Sequence, residues 1–173
     1  MATSRTEGYR HQYRMAHDWL ESTIDGMTTE QLHYQPEGTA NPAGAQYCHH
    51  VQGLDGAILG MLRGAAPLSA GEFAGKFGTE TTGAFGHWGD WTRTSKVNID
   101  EARAYAKAVY EAVDSYLAGL SDDDLDEQID LSVFGMGNQP KSAMLDILLL
   151  DTALHTGEIS AIKGLQGLKG YPF

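Results

Sequence analysis

The sequence predicts an all-α fold: a four-helix bundle with a pseudo-twofold repeat, short extra helices and a long ordered connection between the second and third long helices. Three observations predict it. Four long segments carry apolar residues at helical spacing. Residues 22–32 (Ser-Thr-Ile-Asp-Gly-Met-Thr-Thr-Glu-Gln-Leu) are echoed by residues 115–125 (Ser-Tyr-Leu-Ala-Gly-Leu-Ser-Asp-Asp-Asp-Leu), each a helix end, a turn and a short capped helix. The glycine-rich residues 64–97 show no sustained period and separate the two halves.

The first helix is expected over residues 6–26, where Tyr9, Tyr13, Ala16, Leu20 and Met27 recur at helical spacing. Thr28-Thr-Glu-Gln31 reads as a capping box opening a short helix through Leu32. Asn41-Pro42 starts the second long helix, with Asn41 as N-cap and Pro42 in the first turn. Tyr47, Val51, Leu54, Ile58 and Leu62 form its buried stripe, and Gly64 ends it. In the connection that follows, Phe73, Phe77, Phe85, Trp88 and Trp91 are expected to pack against the body. Asn98-Ile-Asp-Glu101 caps the third long helix, with the stripe Ala102, Ala106, Val109, Val113, Tyr116 and Leu120. Nothing supports a real sheet, although a short two-stranded element near residues 131–134 stays open. The fourth long helix follows Pro140, begins near Ser142 and stops at Gly164 and Gly167.

A chain of 173 residues, 42% of them hydrophobic, fits one domain (residues 1–173) with a full core. No run approaches the roughly 18 apolar residues of a membrane span, and the first residues hold no signal-peptide stretch. Cys48 is alone, so no intrachain disulfide forms and a cytoplasmic location is expected. A formal charge of −11 with scattered bases speaks against nucleic acid as a partner. The acidic run at residues 121–127 reads as a solvated helix start.

The chemistry concentrates in the last helix. Asp151 and His155 stand four residues apart in one of the most apolar stretches, and helix periodicity sets Met144, Leu148, Asp151, His155, Glu158 and Ile162 in one stripe. Two carboxylates and an imidazole on an inward stripe are costly unless each finds a partner. A metal ion is the economical partner, since an open set of His and carboxylate ligands is a standard transition-metal arrangement. On the second long helix, His50 falls within the Tyr47–Val51–Leu54 stripe, while His49 points the other way, to water or another subunit. His50, Asp151 and His155 are therefore the candidate metal ligands, with Glu158 one turn on as the candidate catalytic proton acceptor or orienter. Gly157 in mid-helix suggests close approach of a neighbouring backbone. Against this stands a plainer reading: Asp151 and His155 as an ordinary i, i+4 pair, with His50 bonded to a carbonyl. His87 with Trp88 and Trp91 offers a further pocket, while His11, His17 and His33 read as solvated or satisfied imidazoles.

Taken together, these pieces resemble the DinB-like superfamily of metal-binding four-helix bundles. The resemblance rests on the Gly26-Met-Thr-Thr-Glu-Gln-Leu32 turn and on Ala45-Gln-Tyr-Cys-His-His-Val-Gln-Gly-Leu-Asp55. Ala118-Gly-Leu-Ser-Asp-Asp-Asp-Leu125 and Leu154-His-Thr-Gly-Glu-Ile-Ser160 complete it. It implies a divalent metal held by three histidines, one on the second long helix and two in an H-x-x-x-H pattern on the last. His50 matches the first and His155 the third, while Asp151 stands where the family usually has His. Zinc or nickel is the foremost expectation, with iron or manganese next, because a carboxylate favours harder metals than imidazole does. The resemblance further implies a small-molecule substrate, with a low-molecular-weight thiol such as bacillithiol or mycothiol as one class, and pairing into homodimers. Two classes of function follow: a metal-dependent enzyme, whether thiol S-transferase or hydrolase, and a non-catalytic metal- or ligand-binding or dimerisation module.

Overall fold

The computed structural model of the chain describes residues 4–81 and 88–173. The long helices are α1 (Arg5–Ile24), α3 (Ala43–Leu54), α5 (Ile99–Ala118) and α6 (Lys141–Leu165), with short α2 (Thr29–Leu32) and α4 (Trp88–Thr94) between them. Helix α1 packs against α5 and α6, and α3 packs against the same two, so the four close into a ring with α1 and α3 on one diagonal. Among the described residues, no helix is long and apolar enough to cross a membrane.

Local chemistry sets most boundaries. Ser4 caps α1 by accepting from the Glu7 amide, and Asn98 caps α5 by accepting from Glu101. Thr28 and Gln31 form the reciprocal capping box of α2. The start of α3 differs from expectation. Its N-cap is Pro42, without a side-chain bond, because the Asn41 side-chain oxygen is taken by the Thr92 hydroxyl at 2.7 Å. Beyond Leu54 the helix widens into a π-helical stretch, Asp55–Leu62, before Gly64 leaves it at φ +68°.

The acidic run does more than meet water. Asp122 accepts the backbone amides of Arg5 and Thr6, and Asp126 pairs with the Arg5 guanidinium, tying the second half of the chain to the start of α1. Between α5 and α6, β1 (Gln128–Asp130) and β2 (Asn138–Pro140) pair antiparallel around a 3₁₀ turn at Ser132–Phe134. This two-stranded element, which the sequence left open, is the sheet of the described chain.

The core is built from Tyr13, Leu20 and Ile24 of α1, Tyr47, Val51 and Leu54 of α3, Val109, Val113 and Leu117 of α5, and Met144, Leu145, Ile159 and Ile162 of α6. Each fully buried aliphatic of this kind contributes about 1.5–3 kcal/mol against exposure. Phe77 and Trp91 are buried, Phe73 packs on Tyr105, and the Trp91 indole donates to the Thr81 carbonyl, so the connection does pack on the body. Gly78, at φ +86°, lies so close to Ala102 that a Cβ there would collide with it. Phe85 and His87 lie outside the described residues.

Candidate functional site

Helices α3 and α6 lie against each other, and their facing surfaces carry the polar side chains the sequence singled out. Gln46, His49 and His50 come from α3, and Asp151, His155 and Glu158 from α6. His50 is fully buried, and its Nδ1 donates to Asp151 Oδ2 at 2.9 Å. The other carboxylate oxygen, Oδ1, lies 3.4 Å from His155 Nε2. His155 Nδ1 turns outward to Glu158 Oε2 at 2.9 Å and Gln46 Oε1 at 3.2 Å. Asp151 thus bridges two imidazoles, and Glu158 holds the outer nitrogen of one of them.

The electrostatics follow from this wiring. Burial alone would raise the Asp151 carboxyl, but hydrogen bonds from His155 and His50 hold it well below the usual carboxylate range. Burial works to lower His155, and Asp151 and then Glu158 overcome it, so its pKa rises above the ordinary value. His50 moves the other way: full burial outweighs the pull of Asp151 and keeps the ring neutral. With Nδ1 donating, the lone pair on its Nε2 is buried without a hydrogen-bond partner.

Several placements differ from expectation. Glu158 is not on the inward stripe; its side chain is 56% exposed and stands at the rim, reaching back to His155. His49 does not turn away from the site. Its ring lies 5.6 Å from that of His155, edge to face, and burial with the His155 charge lowers its pKa to about 4. The reason is that α3 is buried along most of its length, from Ala43 through Cys48 and on to Leu54, so residue 49 is itself half-buried. His17, expected to be solvated or satisfied, is buried and stacked on Tyr110 at 3.9 Å, with Nε2 unpartnered and its pKa lowered to about 3 by burial. His33 is satisfied as expected, between the Thr29 carbonyl and the Val97 amide, and His11 is exposed. What approaches Gly157 is a side chain, the Tyr171 hydroxyl, and not a backbone.

As donors, two imidazoles and an ionised carboxylate suit a divalent ion, and His155 has its outer nitrogen engaged as ligating imidazoles commonly do. In arrangement, the three are closed on one another. Among the described residues no group of three or more His, Cys, Asp or Glu side chains is placed to hold a metal ion.

Residues 12–159 match the family model described as the DinB superfamily. A crystal structure of a conserved protein from Enterococcus faecalis superposes with a TM-score of 0.74 at 17% identity, covering 95% of this chain and 98% of that one. At that identity the likeness is one of fold. No curated protein matches the chain.

Proposed function

Since this chain belongs to the DinB superfamily, we propose that it is an enzyme acting on a small molecule with a divalent metal held by His50, Asp151 and His155. The observation that carries the reading is the position of Asp151, within hydrogen-bonding reach of a buried ring on α3 and close to a ring on its own helix. Opening those two contacts frees two nitrogens and a carboxylate toward one another, from helices whose backbones are fixed by the core. The ion, when bound, supplies Lewis-acid chemistry, lowering the pKa of a thiol or of water. Zinc or nickel suits the imidazoles, and iron or manganese the carboxylate.

The chain's own residues supply the rest. Glu158, at the rim and against His155, accepts the proton released by an incoming thiol or water. Gln46 fixes the His155 ring from the α3 side. Cys48 is buried, so a thiol used here comes from the substrate. Thiol S-transfer is the reaction this reading places first, and hydrolysis second.

Elemental analysis of the purified protein, beside His50→Ala and His155→Ala, tests it. Wild type is expected to hold stoichiometric metal and both variants to lose it while staying helical. Uptake should strengthen as pH rises through the raised pKa of His155, because the ring must give up its proton to ligate. Wild-type metal content in both variants overturns the site. The hydrogen bond already formed between Asp151 and His50 favours a second reading, a metal-free acid–base cluster, which predicts activity undiminished by chelators.

A further inference from the structure

Taking His50 as a residue of the proposed site, we propose that His17 of α1 is its positioning residue, the two rings being joined at their Nε2 atoms through one buried water. His17 is 5% exposed and His50 not at all. Both Nε2 atoms are buried without a hydrogen-bond partner among the described residues. Buried polar groups in native folds are bonded as a rule, to protein or to ordered water, and a ring nitrogen left bare is costly.

Both rings belong to one layer of the bundle. Helices α1 and α6 run side by side in the same direction: Tyr13 donates to the Leu145 carbonyl at 2.7 Å, and Lys163 to the Thr23 carbonyl at 2.6 Å. His17 stands between Tyr13 and Thr23, level with the middle of α6, where Asp151 and Thr152 lie. His50 reaches the same level from α3 through its bond to Asp151. The two rings are near enough for a charge on His50 to lower the His17 pKa. Tyr110 of α5, stacked on His17 at 3.9 Å, closes the layer.

A water suits both nitrogens. His50 carries its proton on Nδ1, toward Asp151, so its Nε2 accepts. His17 is kept neutral by burial, and its Nε2 can carry the ring proton or accept one. Thr152, fully buried beside Asp151, spends its hydroxyl proton on the Leu148 carbonyl at 2.9 Å and keeps its lone pairs. A water that accepts from His17 Nε2–H and donates to His50 Nε2 and the Thr152 oxygen makes three bonds, about the usual number for a buried water. It also has a way in, since a cleft of about 230 Å³ between α1 and α5 reaches the His17 ring past Tyr13, Arg14, Tyr110 and Asp114.

The link matters when His50 turns Nδ1 to a ligand. Its one ring proton then sits on Nε2, which needs an acceptor, as the outer nitrogens of ligating imidazoles do. The water takes that bond and donates to His17 Nε2, while His17 carries its own proton on Nδ1, exchanged through the cleft. Both rings stay neutral, and no charge is created in the core.

Nitrogen-15 NMR of the full chain, histidine-labelled and free of metal, tests the link. Wild type is expected to show His50 protonated at Nδ1, its Nε2 shift displaced by hydrogen bonding, and a cross-peak from a long-lived water to the ring protons of His17 and His50. His17→Phe, which keeps an aromatic ring against Tyr110, should lose the water signal and return the His50 Nε2 shift to that of a free acceptor. His17→Gln, which can still donate and accept, should restore both. In metal titrations His17→Phe should bind about tenfold or more weakly, and His17→Gln nearly as wild type does. An absent water signal in wild type overturns the proposal, as does a His50 shift that is the same in wild type and His17→Phe, or equal metal affinity in the two. A wild type that takes up no metal overturns the proposed function instead, and the NMR comparison then decides the link by itself.

Discussion

Asp55 and Asp151 are carboxylates on facing helices of one bundle, and their surroundings give them opposite work. Asp55 is fully buried; it accepts the backbone amides of Leu68 and Ser69 at 2.8 Å each and the Tyr105 hydroxyl at 2.6 Å. All three partners are neutral donors fixed by the backbone or by packing, so the group is a strut holding the connection to α5. Asp151 keeps 39% of its side chain exposed, and its partners are two imidazoles, one fully buried and neutral and the other with a raised pKa. Hydrogen bonding is common to both. What separates a site from a strut is whether the partners can be exchanged for a ligand.

The largest effect should come from Asp55→Ala. It strands two amides and a hydroxyl in the core, at a cost of about 3 kcal/mol or more. Urea unfolding should show this as a lower midpoint with unchanged slope, and metal content should not alter. A cost under about 1 kcal/mol would mean that water replaces the carboxylate and that Asp55 is no strut.

Asp151 should behave in the reverse way. Asp151→Ala is expected to cost about 1–3 kcal/mol, less than Asp55→Ala, because it leaves one buried donor, the Nδ1–H of His50, without its acceptor. The His155 pKa should fall, since its rise rests first on Asp151; a histidine titration followed by NMR reads this directly. Asp151→His should keep the fold and turn metal preference toward zinc or nickel in competitive binding. An unchanged preference removes Asp151 from the coordination sphere.

His17 sharpens the contrast, being nearly as deep as Asp55 but with an unpartnered nitrogen. Its pKa is about 3 when folded, against an ordinary value of 6.5. Above pH 6.5 both states are neutral and its contribution is complete. Below that, the unfolded chain takes up a proton that the folded chain refuses, so stability falls by up to about 1.4 kcal/mol per pH unit until near pH 3. His17→Phe should flatten the curve by that slope, and a parallel curve would show that the ring does protonate in place. Glu158→Gln is the smallest change, within about 0.5 kcal/mol in stability, with a modest fall in the His155 pKa and metal retained.

Much of this was legible in the sequence. The helix stripes, the capping box at Thr28 and the Asn98 cap follow from spacing and side-chain chemistry within one turn, and the structure has them. The meeting of His50 with Asp151 was legible too, because each lies on a stripe that must face inward. Other residues were hidden by what each helix packs against. On α1 the stripe runs through His17, where counting apolar residues put Ala16, because an imidazole buried against Tyr110 leaves no mark in hydropathy. His49 lies off the apolar stripe of α3, but α3 touches neighbours on several sides, which no single stripe encodes. Glu21, which accepts from Tyr47 and Tyr110 and pairs with Arg103, joins three elements by contacts that no local pattern encodes. The same holds for Asp55, whose backbone partners lie 13 and 14 residues on.

Cys48 is the single cysteine of this sequence, and burial pushes its thiol up to about 12. At neutral pH it stays protonated and shielded, beyond the reach of maleimides and mild oxidants. The unaltered chain is therefore its own cysteine-light background. A cysteine introduced at any exposed position would be the one thiol open to reaction, so fluorophores or spin labels could be placed singly without first editing the core.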